Sequence, residues 1–148
     1  MMPTYSIYYS NLRLNQKIKK NIANSITKIH RNITGANSYF VQVIFINNKS
    51  NNHFIGGKKT NNNQIFLHGQ IRSGRTSLIK KKLILKLRDT IIKNSKLKRE
   101  NVWVYIIDLK PNQMIEYGEV LPKSGQENKW FDKLDKSLQK KLKEIDKN

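Results

Sequence analysis

The sequence predicts an α+β fold in which two β-α-β units are fused in one chain. Strand-like and helix-like segments alternate in the same order twice, and the two repeats begin about sixty residues apart. The first unit covers residues 3–46 approximately, the second residues 64–108, and a hairpin with a C-terminal tail helix follows at residues 110–148. A chain of 148 residues is expected to form one domain. Because crossovers between parallel strands are right-handed, both long helices are expected on one face of a mixed sheet.

The first unit begins with a predicted strand at residues 4–9 and continues with a helix from about Asn15. Isoleucines recur along this helix at steps of four or three residues, which gives one apolar face: Ile18, Ile22, Ile26, Ile29 and Ile33. Gly35 is expected to end the helix, because glycine readily adopts the left-handed conformation found there. Residues 40–46, FVQVIFI, then predict a buried strand rich in β-branched side chains.

The second unit follows an Asn/Gly-rich connection with a short strand expected at residues 54–55. A strand is predicted at residues 64–71 and another at residues 102–108. The helix between them has an apolar face of Leu83, Leu87 and Ile91, widened by Leu78, Ile79, Ile84 and Ile92. After a turn at residues 110–112 and a short segment at residues 114–121, residues 131–145 predict a lysine-rich helix. Its narrow apolar stripe favours docking on the protein over membrane binding.

The net charge of +19 raises the question of nucleic-acid binding. Lysine provides 23 of the 29 basic residues, and Lys, Asn and Ile together make up 60 of the 148 residues. These three residue types have A/T-rich codons, so compositional drift explains much of the charge. The lysines are also spread over helix faces and the tail without an aromatic platform, which favours a solvated basic surface over nucleic-acid binding.

The absence of cysteine excludes disulfides, thiolate metal sites and a cysteine nucleophile. No apolar run is long enough for a signal peptide or a membrane span. A soluble cytoplasmic protein without membrane contacts is therefore expected.

Pro3 directly precedes the first predicted strand, a position where its missing N–H does little harm. As the first residue of a mature chain, however, its nitrogen would be a secondary amine capable of acid–base chemistry. Methionine aminopeptidases act poorly when the second residue is bulky, so a chain starting at Met1 would keep Pro3 capped. Translation from Met2 would instead yield Pro3 as the mature N-terminus, and that start is our expectation.

Arg72 and Arg75 lie at the end of a predicted strand, across a Ser-Gly turn and just before a helix. Two guanidinium groups at this spacing can converge on one carboxylate with a bidentate geometry that lysine does not provide. A pair of exposed surface charges explains this motif equally well.

Three further residues have weaker individual signals. His30 lies near the end of the first predicted helix. A histidine at this position is accounted for by packing or by a favourable charge at the helix end. Tyr105 lies within a predicted strand, where core packing explains it. Glu116 is one of ten acidic residues and has apolar and aromatic neighbours, which raise the pKa of a carboxyl group and suit a general base.

The stretches that contain these residues resemble the tautomerase superfamily and, within it, the cis-3-chloroacrylic acid dehalogenase group. They are PTYSIYYS, SITKIHRNITG, IFLHGQIRSGR, VWVYIIDLKPNQMIEYGEVLP and WFDKL, and the resemblance covers residues 3 to about 134. It implies a fold of two β-α-β units, assembled as a homotrimer with an active site in each subunit. It also implies a small carboxylic acid substrate and no metal or organic cofactor.

The resemblance assigns a role to each candidate residue. It makes Pro3, Tyr105 and Glu116 catalytic, with Tyr105 and Glu116 activating water. It makes His30, Arg72 and Arg75 the binding site for the substrate carboxylate. Four functions stay open: hydration or hydrolytic dehalogenation of 3-substituted acrylates, keto–enol tautomerisation, a catalytically silent trimer that serves as a binding protein, and a basic nucleic-acid-binding protein.

Overall fold

The centre of the molecule is a four-stranded mixed sheet, as seen in a computed structural model that describes residues 3–49 and 51–147. In chain order the strands are β1 (Thr4–Ser10), β2 (Gln42–Asn48), β3 (Phe54–Ile55), β4 (Lys58–Lys59), β5 (Gln64–Arg72), β6 (Val102–Leu109), β7 (Ile115–Glu116) and β8 (Glu119–Val120). The helices are α1 (Gln16–Thr34), α2 (Ser77–Ser95), α3 (Glu127–Asp132) and α4 (Lys136–Asp146). The sheet order is β2-β1-β5-β6, with β1 parallel to β2, β5 parallel to β6, and β1 antiparallel to β5. The predicted α+β fold with two β-α-β units is confirmed.

The first long helix begins and ends where the sequence predicts, and the second is capped in a similar way at its start. The Asn15 side chain accepts a hydrogen bond from the backbone N–H of Ile18 and caps α1. Gly35 follows α1 with φ of 72°, a left-handed conformation that ends the helix. Thr76 caps α2 in the same way, through the backbone N–H of Ile79.

One face of the sheet packs against α1 and α2, which also contact each other. Alternate residues of the two central strands are buried there, as are the predicted apolar faces of the helices: Tyr5, Ile7, Tyr9, Ile65, Leu67, Ile71, Ile22, Ile26, Leu83, Leu87 and Ile91. Leu78 was expected to widen the face of α2, but it is 78% exposed because the buried face begins at Leu83. The two helices on one face agree with the prediction from right-handed crossovers.

The opposite face of the sheet is apolar and exposed at several positions. On β6, Trp103, Tyr105 and Ile107 alternate with residues that pack toward the helices. Ile44 of β2 is exposed as well. From the sequence, Tyr105 was expected to be either a core residue or a catalytic residue. Because it is exposed on this sheet face, it is not a core residue of a single chain.

The C-terminal segment forms a second core with a short 3-10 helix at Ser38–Phe40. The prediction of a strand starting at residue 40 is wrong, because the Phe40 ring is 2% exposed and packs on Trp130, and β2 begins at Gln42. The predicted tail helix is present as α4, but it begins at Lys136 instead of residue 131, and the separate short helix α3 precedes it. The chain turns through extended Asp135 between them, which allows Leu134 and Leu142 to be buried in the same cluster. No helix among the described residues is long and apolar enough to cross a membrane.

Candidate active site

The start of β1 and the end of β5 lie side by side at one end of the sheet. Their antiparallel pairing places Thr4 opposite Gln70. Pro3 is buried, and its carbonyl accepts a hydrogen bond of 3.0 Å from the backbone N–H of Gln42. Pro3 and the C-terminal residue of β5, Arg72, therefore lie at the same sheet end. The expected removal of Met1 and Met2 concerns residues outside those that the structure describes.

Tyr5 and His30 form a buried hydrogen bond between β1 and α1. The Tyr5 hydroxyl lies 2.7 Å from Nδ1 of His30, and the two rings meet edge to face. His30 is 1% exposed and Tyr5 is fully buried. Burial raises the pKa of Tyr5 far above its ordinary value, while the positive charge of Arg75 opposes this rise. Tyr5 is therefore a neutral hydroxyl near both His30 and Arg75.

Gly69 provides the space that the Tyr5 ring occupies. The two residues are opposite each other in the β1–β5 register. A Cβ atom at position 69 would lie 2.7 Å from Cε1 of Tyr5, well inside van der Waals contact. Any larger side chain there would displace the ring that positions His30.

Arg72 is 1% exposed and is bound by the C-terminal segment of its own chain. Its Nη1 donates to the carbonyl of Pro122 at 2.7 Å, and its Nη2 donates to Oε1 of Glu127 at 2.5 Å. Its Nε is buried and has no hydrogen-bond partner among the described residues. Arg72 thus already binds one carboxylate, and that carboxylate belongs to the protein.

Arg75 differs from Arg72 in having no hydrogen bond or ion pair to the described part of the chain. Its Nε is buried without a partner. Burial lowers the pKa of Arg75, and the nearby charge of Arg72 lowers it further, whereas the acidic groups of Asp108 and Glu127 oppose this. Asp108 is itself paired with Lys80 at 2.8 Å. Arg75 is therefore a cation with its hydrogen-bonding capacity available to an anionic ligand.

Glu116 is presented by the tight hairpin of β7 and β8. Tyr117 and Gly118, at the turn, have φ of 53° and 85°, as a two-residue hairpin of type I′ requires. The Tyr117 hydroxyl donates to the carbonyl of Tyr39, which anchors the hairpin on the second core. Burial raises the pKa of Glu116 to about 7. The expectation of a carboxyl group with a raised pKa at this position agrees with this value.

A cavity of about 510 Å³ connects Glu116 to the sheet end. It is lined by Thr4, Tyr39, Phe40, Gln42, Gln70, Leu109, Gln113, Met114, Ile115, Glu116 and Tyr117. Thr4 follows Pro3 directly, and Gln42 binds its carbonyl, so the cavity adjoins Pro3. None of His30, Arg72 and Arg75 is among the described residues that line it.

Tyr105 is separated from Glu116 within one chain. It is 55% exposed on the sheet face away from the helices, where its ring contacts Phe66. Leu109 lines the cavity, and Tyr105 precedes it by four residues on β6, roughly 13 Å at about 3.3 Å per residue. The structure therefore gathers Pro3, Glu116 and the two arginines at one sheet end but leaves Tyr105 outside that group.

Comparison with known proteins identifies the family. A family model described as "Putative oxalocrotonate tautomerase enzyme" matches residues 2–135. The crystal structure of N1, a member of the cis-3-chloroacrylic acid dehalogenase (cis-CaaD) family, is 33% identical to this chain with a TM-score of 0.89. The match covers 95% of this chain and 99% of that chain. The chain belongs to the tautomerase superfamily, in its cis-3-chloroacrylic acid dehalogenase group.

Solved structures of lower identity share the tautomerase fold. Native Ps01740 is 24% identical with a TM-score of 0.72, over 76% of this chain and 99% of that chain. Native fused 4-OT is 17% identical with a TM-score of 0.72, over 79% of this chain and 94% of that chain. At these identities the similarity concerns the fold alone. Among curated protein sequences, none matches this chain.

Sequence reasoning missed two residues that contact the candidate site residues, Tyr5 beside His30 and Glu127 beside Arg72. Tyr5 follows Pro3 by two positions, and in extended backbone that spacing places the two side chains on the same side of the chain. The sequence therefore contained a signal for Tyr5. Glu127 had none, because it is 55 residues from Arg72 and lies in a segment without a strong periodic pattern.

Proposed function

We propose that this chain is an enzyme that adds water to, or tautomerises, small unsaturated or enolisable carboxylic acids without a metal or organic cofactor. The observation that supports this most directly is Glu116, which lines a cavity adjoining Pro3 and has a pKa raised to about 7. A carboxyl group whose pKa is near the working pH is well suited to remove a proton from water.

The substrate carboxylate binds to the basic groups at the sheet end. In this proposal Arg75 is the main contact, because its guanidinium makes no hydrogen bond to the described residues. His30 and the remaining N–H groups of Arg72 assist it. Cations at the carboxylate draw electron density from the conjugated double bond and make the β-carbon electrophilic.

Water addition then requires a base on one side and an acid on the other. Glu116, assisted by Tyr105, removes a proton from water as the oxygen bonds to the β-carbon. The ammonium of an N-terminal Pro3 gives a proton to the α-carbon, and the double bond is consumed. Positioning and acid–base catalysis provide the rate enhancement.

A halogen on the β-carbon extends the reaction to dehalogenation. The adduct then has a hydroxyl and a halogen on the same carbon. Loss of the hydroxyl proton and departure of halide convert this carbon to an aldehyde. The overall change is one water consumed and one hydrogen halide released.

Tautomerisation is the second reaction that this site could perform. It needs Pro3 as an unprotonated amine, which removes a proton from one carbon and returns it to another position of the enol system. The two reactions are therefore distinguished by the protonation state of Pro3. The nearby raised-pKa carboxyl group of Glu116 favours water addition.

Assembly into a homotrimer is part of the proposal. The sheet face away from the helices exposes Trp103, Tyr105 and Ile107, and the sheet has edge strands at β2 and β6. Exposed apolar faces and edges favour association with further copies. Since Tyr105 lies away from Glu116 in its own chain, it can serve this site only if assembly brings it to a neighbouring subunit.

The test is turnover by protein whose mass establishes Pro3 as the first residue. Enolisable acids and 3-halogenated acrylates are supplied as separate panels, and halide release, hydration and enol disappearance are followed. We expect turnover of at least one acrylate and its loss in Glu116→Gln. Failure to act on either panel would favour the silent-trimer interpretation, and tautomerisation alone would leave Glu116 without the proposed role.

A further inference from the structure

A carboxylate of the protein itself, that of Glu127, lies beside the arginine pair. Nη2 of Arg72 donates to Oε1 of Glu127 at 2.5 Å, where Arg72 is 1% exposed and the Glu127 side chain is 27% exposed. Burial acts to raise the pKa of Glu127, but the hydrogen bond and charge of Arg72 outweigh it, so the pKa is lowered. Glu127 is therefore ionised at neutral pH.

The same contacts fix the orientation of Arg72 before any ligand binds. Pro122 and Glu127 each accept from one terminal nitrogen, and both belong to the segment that follows β8. A guanidinium group with two fixed partners loses little freedom when a ligand binds to its remaining N–H groups. The unpartnered Nε of Arg72 is one of these groups.

Arg72, Arg75 and Glu127 together carry a single positive charge, and in the proposed active form the ammonium of an N-terminal Pro3 is offset by the ionised carboxylate of Glu116. Arg72 and Arg75 contribute two, and Glu127 removes one. Asp108 adds no net charge, because it is paired with Lys80. A monocarboxylate would neutralise this site, whereas a short dicarboxylate would bring a second negative charge next to Glu127.

We propose that Glu127 is a positioning and specificity-determining residue, which orients Arg72 and restricts the arginine site to monocarboxylates. This inference rests on the proposed function in one respect, that the arginine site binds the substrate acid. It goes beyond that function by assigning the charge of the acid and the residue that selects it.

The experiment measures binding separately from catalysis. Propanoate and succinate serve as probes because these saturated acids cannot take up water, and their Kd values are measured by calorimetry on Pro3-first protein. Wild type should bind propanoate at least tenfold more tightly than succinate. Glu127→Gln keeps a hydrogen-bond acceptor and removes the charge, so this ratio should fall five- to tenfold.

Three variants separate charge from structure. Asp132→Asn is the matched control, since Asp132 is an exposed acid on the same helix and has no ion pair in the described part of the chain. It should keep the wild-type ratio. Glu127→Asp retains the charge and should keep most of the ratio. The double variant Arg72→Gln, Glu127→Gln retains a single positive charge and should restore the ratio even if it binds both acids more weakly.

Each outcome separates the inference from the proposed function. Equal ratios in Glu127→Gln and Asp132→Asn, or a wild type that binds both acids equally, would overturn the role of Glu127 even if acrylates are turned over. The expected ratios without turnover of any acid would support Glu127 and reject the proposed function. Thermal unfolding of every variant checks folding, and the double variant keeps the inference testable if Glu127→Gln alone is unstable.

Discussion

The Tyr5 hydroxyl lies 2.7 Å from Nδ1 of His30, inside the protein and two residues after Pro3. This hydrogen bond joins the first strand to the first helix, so the position of His30 depends on the strand that directly follows Pro3. Gly69 makes the arrangement sterically feasible, because a Cβ at that position would clash with the Tyr5 ring. The position of the His30 ring therefore depends on the Tyr5 hydroxyl, and the position of the Tyr5 ring depends on the space at Gly69.

Tyr5→Phe should weaken both stability and substrate binding. It leaves a buried histidine nitrogen without this partner, at a cost of about 1–3 kcal/mol. Each kcal/mol corresponds to roughly 2–4 °C in Tm for a chain near this size. Tyr8→Phe is the control, since it makes the same change on the opposite face of β1, and thermal unfolding with steady-state kinetics compares the two. Equal effects of the two variants would mean that the Tyr5–His30 hydrogen bond has no special role.

Arg75→Ala should lower kcat/KM by more than tenfold for carboxylate substrates. The reason is that Arg75 has no hydrogen-bond partner among the described residues and is the proposed main contact of the carboxylate. Arg75→Lys should recover only part of the loss, because an ammonium group lacks the bidentate geometry. Arg88→Ala, on α2 and paired with Asp89, should behave as wild type. Full activity of Arg75→Ala toward every acid tested would exclude Arg75 from the mechanism.

The pH dependence of activity should be bell-shaped if Glu116 is the base and Pro3 the acid. Activity should rise through about pH 7 as Glu116 loses its proton. It should fall again as the Pro3 ammonium loses its proton. The pKa of an ordinary α-amino group is roughly 7.7–8.0. A profile of kcat/KM against pH measures both limbs. If the kcat/KM profile of Glu116→Gln rises at the same pH as that of wild type, the rise is due to a group other than Glu116.

Glu116 should also make the stability of the protein depend on pH. Its pKa in the folded protein is raised from 4.5 to about 7 by burial. The folded state therefore binds this proton more tightly than the unfolded state does. The resulting stabilisation is fully present below about pH 4.5 and is lost as the pH rises through 7. The difference in Tm between wild type and Glu116→Gln should change in that window, in favour of the variant at higher pH.

A trimer is expected in solution at micromolar concentration, with the helices outside and the exposed sheet faces toward the centre. Ile107→Lys should shift the assembly toward monomer and reduce turnover, because it places a charge on the apolar sheet face next to Tyr105. Leu78→Lys is the matched control, since Leu78 is 78% exposed on the helix side. Sedimentation equilibrium measures the mass. A wild-type monomer would contradict the assembly and strengthen the nucleic-acid alternative.

The parts of the fold that were predictable from sequence depend on local periodicity. Ile22 and Ile26 recur at helical spacing, and both are fully buried in α1. Asn15 and Gly35 limit that helix through local capping, which the sequence displays directly.

The parts that were not predictable depend on contacts between distant residues. Phe40 has strand-like neighbours, but its ring is buried against Trp130, 90 residues away, and the backbone there forms a 3-10 helix. The pairing of Arg72 with Glu127 likewise joins residues far apart in the chain. No local pattern distinguishes these partners from other aromatic or acidic residues. The charge balance of the site therefore emerges only from the three-dimensional structure.

The residue that decides whether the proposed chemistry occurs is Pro3. A proline nitrogen within the chain is an amide and has no proton to give, whereas an N-terminal proline is an amine that titrates. Pro3 directly precedes β1 and adjoins the cavity that Glu116 lines, so an amine there would be close to the proposed base. We therefore expect the active form to begin at Pro3.

Intact mass measurement of protein from its native host should give a value short by both methionines. A form with one glycine added before Pro3 provides the matched comparison, because it keeps every side chain of the described site and converts the proline nitrogen to an amide. Its turnover of acrylates should fall by at least a hundredfold, while its Kd for propanoate should change far less, since the arginine site is untouched. Equal turnover by the two forms would reject the amino-terminal mechanism. Native protein that retains Met1 and Met2 and is inert toward every acid would instead favour the silent trimer.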